Sequence, residues 1–179
     1  MGGPLTDEEI QEVQADRKYE NFVETGPYMG HTTFAAAKYF KNVYTIEIMF
    51  DLFLKNVNKA REDGVKNVSF LLGDSVKMLD VVVPIVLDGA VFFIDAHISG
   101  SDSGWNQKQR VPLIEELKVI LSKKIGSSVF IFDDLRLWAQ KVWDWAHITN
   151  DTILALFKEY NYNVTKSYEK NDRFYVFTK

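Results

Sequence analysis

Apolar and polar positions change period regularly along this chain, and each change predicts an element. Residues 5–19 read as a short surface helix, with Thr6 placed to cap it and Glu9 three residues on to complete a capping box. A first short strand at Phe22-Val23 runs into a glycine-containing turn and a helix over 32–40. Residues 43–48 form a second strand and 51–62 a helix closed by Gly64. A third strand, 68–72, ends in Gly73-Asp74, and a helical stretch over 75–83 leads to a wholly apolar strand at 90–94. A polar loop, 97–109, precedes an amphipathic helix over 112–122, with leucine and isoleucine at helical spacing. A fifth strand follows at 129–132 and another helix at 150–160. Two β-rich runs, 163–168 and 174–177, are separated by Glu169-Lys170-Asn171-Asp172, which signals an antiparallel hairpin.

Strands alternating with helices predict βαβ units and a parallel sheet covered on both faces. The fold class is α/β: a Rossmann-like, doubly wound, mostly parallel seven-stranded sheet with a C-terminal antiparallel hairpin. No repeat, low-complexity tract or linker interrupts the pattern. Residues 1–179 therefore read as one domain, with 1–20 as a short N-terminal helical segment.

Composition narrows the function classes. The chain has 25 acidic against 21 basic residues, a net charge of −4, which argues against a nucleic-acid grip by counterion release. It has no cysteine, so thiolate nucleophiles, disulfides and cysteine-held metals are excluded, and any metal must be held by oxygen or imidazole. No basic start followed by an apolar run suggests a signal peptide, and the apolar-rich region 81–94 is broken by Pro84, Asp88 and Gly89. The expectation is a soluble, cytoplasmic protein with neither membrane nor nucleic acid as partner.

In such sheets ligands bind at the carboxyl ends of the strands. Here those ends are acidic, one after another: Glu24-Thr25-Gly26, Glu47, Asp74-Ser75, Asp95-Ala96-His97 and Asp133-Asp134. A single such acid is readily a helix N-cap, whereas five in succession point to a site. The first turn reads E-x-G-x-x-x-G-x-T, from Glu24 through Gly26 and Gly30 to Thr32 and Thr33. It lacks the third glycine of the dinucleotide fingerprint, and Pro27 removes a backbone donor. A carboxylate just before the turn suits a ligand carrying an ammonium and a sulfonium better than a pyrophosphate.

Glu24-Thr25-Gly26…Gly30-His31-Thr32-Thr33, followed in order by Glu47, Asp74 and Asp95, resembles the class I S-adenosylmethionine-dependent methyltransferases over about residues 20–179. The resemblance implies S-adenosylmethionine as cofactor. Its methionine part would lie along the glycine turn, its ribose by Glu47 and Ile48, and its adenine by Asp74 and Ser75. Glu24, Thr25, Gly26, Tyr28, Gly30, Thr32, Thr33 and Asp95 complete the implied cofactor set. The segment Phe93-Ile94-Asp95-Ala96-His97-Ile98-Ser99-Gly100, with Pro112-Leu113-Ile114-Glu115-Glu116-Leu117 and Phe132-Asp133-Asp134-Leu135-Arg136, is similar to small bacterial and viral methyltransferase-like proteins. More distantly it is similar to macrocin-type and catechol-type metal-dependent O-methyltransferases. That likeness implies magnesium held by Asp95, Asp133 and Asp134, Asp95 and His97 as catalytic residues with His97 the base, and a small hydroxyl-bearing acceptor.

Blander roles stand beside these. Asp133-Asp134 also suits a helix cap, and Arg136 suits pairing with one of them, which would lessen the need for metal charge. Trp138, Trp143 and Trp145 fit core or contact packing, and 138–145 is the candidate contact surface of a homo-oligomer. Only about twenty residues precede the glycine turn, so cover must come from the loop 98–110, the N-terminal helix or another subunit. A metal-independent methyltransferase and a non-catalytic S-adenosylmethionine-binding module are the alternatives; a nicotinamide enzyme fails on the missing glycine.

Overall fold

The computed structural model describes residues 3–98, 110–140 and 143–179. The expected capping box starts the first helix, α1 (Asp7–Val13): Thr6 Oγ1 accepts from the Glu9 amide, and the Glu9 carboxylate accepts from the Thr6 amide. This helix is shorter than the predicted 5–19. It ends at Gln14, whose side chain both donates to the Tyr19 carbonyl at 3.1 Å and accepts from the Tyr19 amide at 2.6 Å, turning the chain into the sheet.

Seven strands follow: β1 (Asn21–Thr25), β2 (Asn42–Glu47), β3 (Val68–Leu72), β4 (Val91–Ile94), β5 (Val129–Phe132), β6 (Val164–Lys170) and β7 (Arg173–Thr178). The helices between them are α2 (His31–Ala36), α3 (Phe50–Glu62), α4 (Ser75–Val82), α5 (Leu113–Ser122) and α6 (Asn150–Glu159). Sheet order is β3-β2-β1-β4-β5-β7-β6, parallel through β5 and antiparallel in the last two pairings. The chain starts at the centre, winds to one edge, then returns to β4. The switch point therefore falls between β1 and β4, where a ligand crevice is expected.

The predicted four-residue hairpin loop is shorter in the structure. Asn171 and Asp172 alone make the turn, with φ of 53° and 65°, and Glu169 and Lys170 extend β6. Two left-handed residues match the twist of a two-residue hairpin, and Asn and Asp tolerate that conformation best after glycine.

The apolar runs of the central strands serve two cores at once. Phe92, Ile94, Phe130 and Phe132 pack under α4, α5 and α6, while Phe22, Val91, Phe93 and Ile131 pack under α1 and α2. That alternation is why these strands read as continuous hydrophobic stretches. Trp138 and Trp145 are buried in the first core, so the contact surface expected at 138–145 loses both to packing; the side chain of Trp143 lies outside the description. Among the described residues no helix is long and apolar enough to cross a membrane.

Candidate active site

A cleft of about 330 Å³ opens over the carboxyl ends of β1 to β5. Its first wall is the turn after β1. Gly26 has φ +73°, and a Cβ there would lie 2.6 Å from the Asp95 carbonyl oxygen, so only glycine brings this turn against the end of β4. Gly30 is equally constrained, with φ +75° and Asn56 Oδ1 2.7 Å from where a Cβ would stand. Asn56 also donates to the Tyr28 carbonyl at 2.9 Å, pinning the turn to α3.

Glu24 lies beneath this turn, 1% exposed, and accepts from the hydroxyls of Thr33 and, at 2.9 Å, Thr45. Burial pushes its carboxyl up to about 7, against the pull of those two hydroxyls, and the charge of Glu47 adds to the rise. Glu47, at the end of β2, accepts from the Met49 amide at 2.8 Å; burial raises it too, and backbone N–H groups hold it back. Asp74 caps α4 by accepting from the Val76 amide at 3.0 Å while it also lines the cleft. The cap and the site are here the same carboxylate.

Of the residues expected to hold a cofactor, Glu24, Gly26, Tyr28, Thr32, Glu47, Ile48, Asp74, Ser75 and Asp95 line the cleft. Thr25, Gly30 and Thr33 are not in its lining. Thr25 accepts the Asp95 amide at 3.3 Å, Gly30 sits at the N-terminus of α2, and Thr33 holds Glu24. They shape the walls instead of facing the ligand space.

The second wall collects Asp95, His97, Asp133 and Asp134. The His97 ring stands between two carboxylates, Nε2 at 2.8 Å from Asp134 Oδ2 and Nδ1 at 3.4 Å from Asp95 Oδ1, with Trp145 edge-on at 5.3 Å. Asp134 has φ +57° and makes no cap hydrogen bond, so the helix-cap role falls away for it. Its other oxygen pairs with Arg136, which also pairs with Asp172. Burial pushes Asp134 up, but the contacts with His97 and Arg136 outweigh it and its carboxyl lies below the usual range. Asp95 is raised well above that range by burial and by the neighbouring charges of Asp133 and Asp134.

Asp133, expected as a metal ligand, lines the cleft and faces a cation of the protein itself. Its Oδ1 lies 3.1 Å from Nε of the buried Arg173, which also holds Glu9 at 2.7 Å and the Gly3 carbonyl. The donor atoms that converge within 4.8 Å belong to Asp95, His97 and Asp134. Asp133 lines the same cleft and its charge acts on Asp95, but it is not in that converging set, and one of its oxygens faces Arg173. A set containing imidazole also suits magnesium less than a softer divalent ion.

Other participants in the site carry no functional mark in the sequence. Arg173 and Glu9 are an apparently ordinary strand-start arginine and a capping glutamate, and they meet only in the folded chain. Gly3 and Pro4, which line the cleft, arrive with them, while the Leu5 amide donates to Thr32 Oγ1 at 3.0 Å. Glu116 did leave a signal: with Leu113, Leu117 and Ile120 it occupies the apolar stripe of α5. The loop 98–110, expected to cover the cleft, falls outside the described residues from 99 to 109, and its ends are joined by the Ile98 amide donating to the Arg110 carbonyl at 3.0 Å.

No protein-family model and no curated protein sequence matches the chain. Solved structures do. An S-adenosylmethionine-dependent methyltransferase from Aquifex aeolicus shares the fold with a TM-score of 0.62 at 14% identity, over 94% of this chain and 88% of its own. One from Clostridium acetobutylicum gives 0.62 at 13%, over 94% and 87%. A Staphylococcus aureus protein assigned as a caffeoyl-CoA O-methyltransferase gives 0.64 at 15%, over 100% and 85%. At these identities the likeness is one of fold.

Proposed function

We propose that the protein is an S-adenosylmethionine-dependent methyltransferase that alkylates a hydroxyl oxygen of a small acceptor, with His97 as general base. The observation that carries this is the division of one cleft. Glu24 and Glu47, acids without a cationic side-chain partner among the described residues, line the end formed by β1 and β2, and a histidine held between carboxylates stands at the other end. Buried carboxylates in that state favour a cationic ligand, and the sulfonium and ammonium of S-adenosylmethionine supply two positive charges. The glycine turn, lacking a third glycine and carrying Pro27, argues against a dinucleotide.

The chemistry asks mainly for positioning. The acceptor oxygen attacks the sulfonium methyl carbon as the carbon–sulfur bond breaks, leaving the neutral thioether S-adenosylhomocysteine. With Nε2 donating to Asp134, Nδ1 of His97 is the nitrogen that carries no proton; an acceptor hydroxyl entering beside Asp95 Oδ1, 3.4 Å away, gives its proton there, and the resulting imidazolium is balanced by Asp134. Arg136 and Trp145 hold the pair in place.

A second reading keeps a divalent metal, held by Asp95, His97 and Asp134; it is favoured by the convergence of those donors within 4.8 Å. The metal would lower the pKa of the acceptor hydroxyl. The test is calorimetry with S-adenosylmethionine followed by turnover on a panel of phenolic and aliphatic hydroxyl acceptors, each with chelator, magnesium and manganese. Absence of S-adenosylmethionine binding at sub-millimolar concentration sinks the proposal. Turnover abolished by chelator and restored by manganese replaces the histidine-only mechanism with the metal reading.

A further inference from the structure

Glu116 lies wholly inside the protein, 0% exposed, on the stripe of α5 that faces the core. Neither of its carboxyl oxygens completes a hydrogen bond of good geometry. The hydroxyls of Ser75 and Thr25 are the groups that approach it. Both belong to the cleft's frame: Ser75 opens α4 and lines the cleft, and Thr25 ends β1 and accepts the Asp95 amide. Elsewhere α5 packs with leucine and isoleucine, and α6 contributes Ile153, Leu156 and Phe157 to the same core. A leucine at 116 would serve that packing at no cost in buried polarity, whereas a carboxyl with unmet hydrogen-bonding capacity is destabilising. Packing alone does not account for it.

We propose that Glu116 is a positioning residue of the cofactor cleft: from below, its carboxyl orients the Ser75 and Thr25 hydroxyls and so sets whether Ser75 offers the ligand a proton or a lone pair. The inference rests on the cofactor assignment above. Its chemistry follows from the two states of a carboxyl. A neutral carboxyl has one O–H to give; given to Ser75 Oγ, it leaves the serine's own O–H directed at the cleft. An ionised carboxylate only accepts, so the serine O–H donates to it and the cleft meets the serine's lone pairs alone.

Burial pushes Glu116 up to about 8, opposed by the Ser75 and Thr25 hydroxyls and reinforced by the charge of Asp74. At neutral pH the donor state therefore prevails. Asp74 is the charged group on α4 that acts on it; Asp80 of α4 and Glu115 of α5 stand in solvent, paired with Lys123 and Lys118.

The test compares wild type, Glu116→Gln and Glu116→Leu by calorimetry with S-adenosylmethionine from pH about 6 to about 9, alongside thermal unfolding of each. Wild-type affinity is expected to fall about tenfold as pH rises through the Glu116 transition. Glu116→Gln, which keeps a donor at every pH, should match wild type at neutral pH and lose the alkaline decline. Glu116→Leu should fold at least as stably and bind about tenfold more weakly throughout. An infrared difference spectrum of ligand-free wild type minus Glu116→Gln should contain the band of a protonated carboxyl at neutral pH.

An alkaline decline that persists unchanged in Glu116→Gln, or a missing carboxyl band, overturns the inference. So does a folded Glu116→Leu with wild-type affinity; should that variant not fold, the glutamine profile and the band decide. Wild type that binds no S-adenosylmethionine overturns the cofactor assignment and this inference together, whereas tight binding with indifferent variants overturns this inference alone.

Discussion

The two ends of the cleft handle buried negative charge in opposite ways. At the β1–β2 end, Glu24 is held by two threonine hydroxyls and Glu47 by a backbone amide; among the described residues neither pairs with lysine, arginine or histidine. At the β4–β5 end, Asp133 faces Arg173 and Asp134 faces both Arg136 and His97. Hydroxyls and amides stabilise a carboxylate without cancelling its charge, so the first end retains a demand for a cation. At the second, Asp133 and Asp134 each have a cationic side chain beside them, while Asp95 has the His97 ring at 3.4 Å and feels the charges of both neighbours. Under the proposed function the cationic ligand belongs beside Glu24, and His97 at the other end is the group left for proton chemistry.

The largest effect should come from the β4–β5 end. His97→Gln is expected to lower turnover about 10²- to 10⁴-fold while leaving S-adenosylmethionine affinity within about twofold. Equal losses in turnover and affinity would mean that the two ends are not separate, and the comparison would break. Next is Arg173→Met, which strips the countercharge from both Glu9 and Asp133. Removing one partner of a buried pair costs about 3–5 kcal/mol, so urea unfolding should show a large drop in midpoint and limited proteolysis should release the N-terminal segment. A loss under about 1 kcal/mol would show that the N-terminus is held by its apolar contacts instead.

Glu24 sharpens the other side. Its carboxyl is raised to about 7 in the ligand-free protein, so below that pH it is largely neutral and above it ionised. A cationic ligand prefers the ionised form; affinity for S-adenosylmethionine should therefore rise with pH through about 7, ahead of the alkaline decline expected from Glu116, and Glu116→Gln should show the rise alone. Glu24→Gln should bind roughly tenfold more weakly at pH above that value and lose the acid limb. A glutamine variant with wild-type affinity would return Glu24 to a purely structural role. The smallest effect concerns the cover: Thr6→Ala should cost about 1 kcal/mol through loss of the α1 cap, with a matching small rise in apparent Kd because Gly3 and Pro4 line the cleft. Unchanged unfolding by thermal melt would deny that the cap secures this segment.

Much of this was legible along the chain because it is local. The α1 capping box is a four-residue pattern, the β-strands are runs of apolar residues, and Glu24, Glu47, Asp74 and Asp95 each follow a strand. What was misread depended on partners far away in sequence. Asp133 was grouped with its neighbour Asp134, yet side chains of adjacent residues part company here, one toward Arg173 and the other toward His97. Trp138 and Trp145 fit core and contact packing alike in the sequence, and the fold buries both in the core.

By itself, then, the amino-acid order determined the α/β class, the alternation of elements and the row of acids at the strand ends, since each follows from residue period and spacing within a dozen positions. Only the tertiary structure decided which acids keep their charge unbalanced. That depends on whether a threonine, an arginine or a histidine stands within a few ångströms, and Arg173 reaches Glu9 across 164 residues of sequence. The opening question of what the acids are for was answered not by their number but by their neighbours.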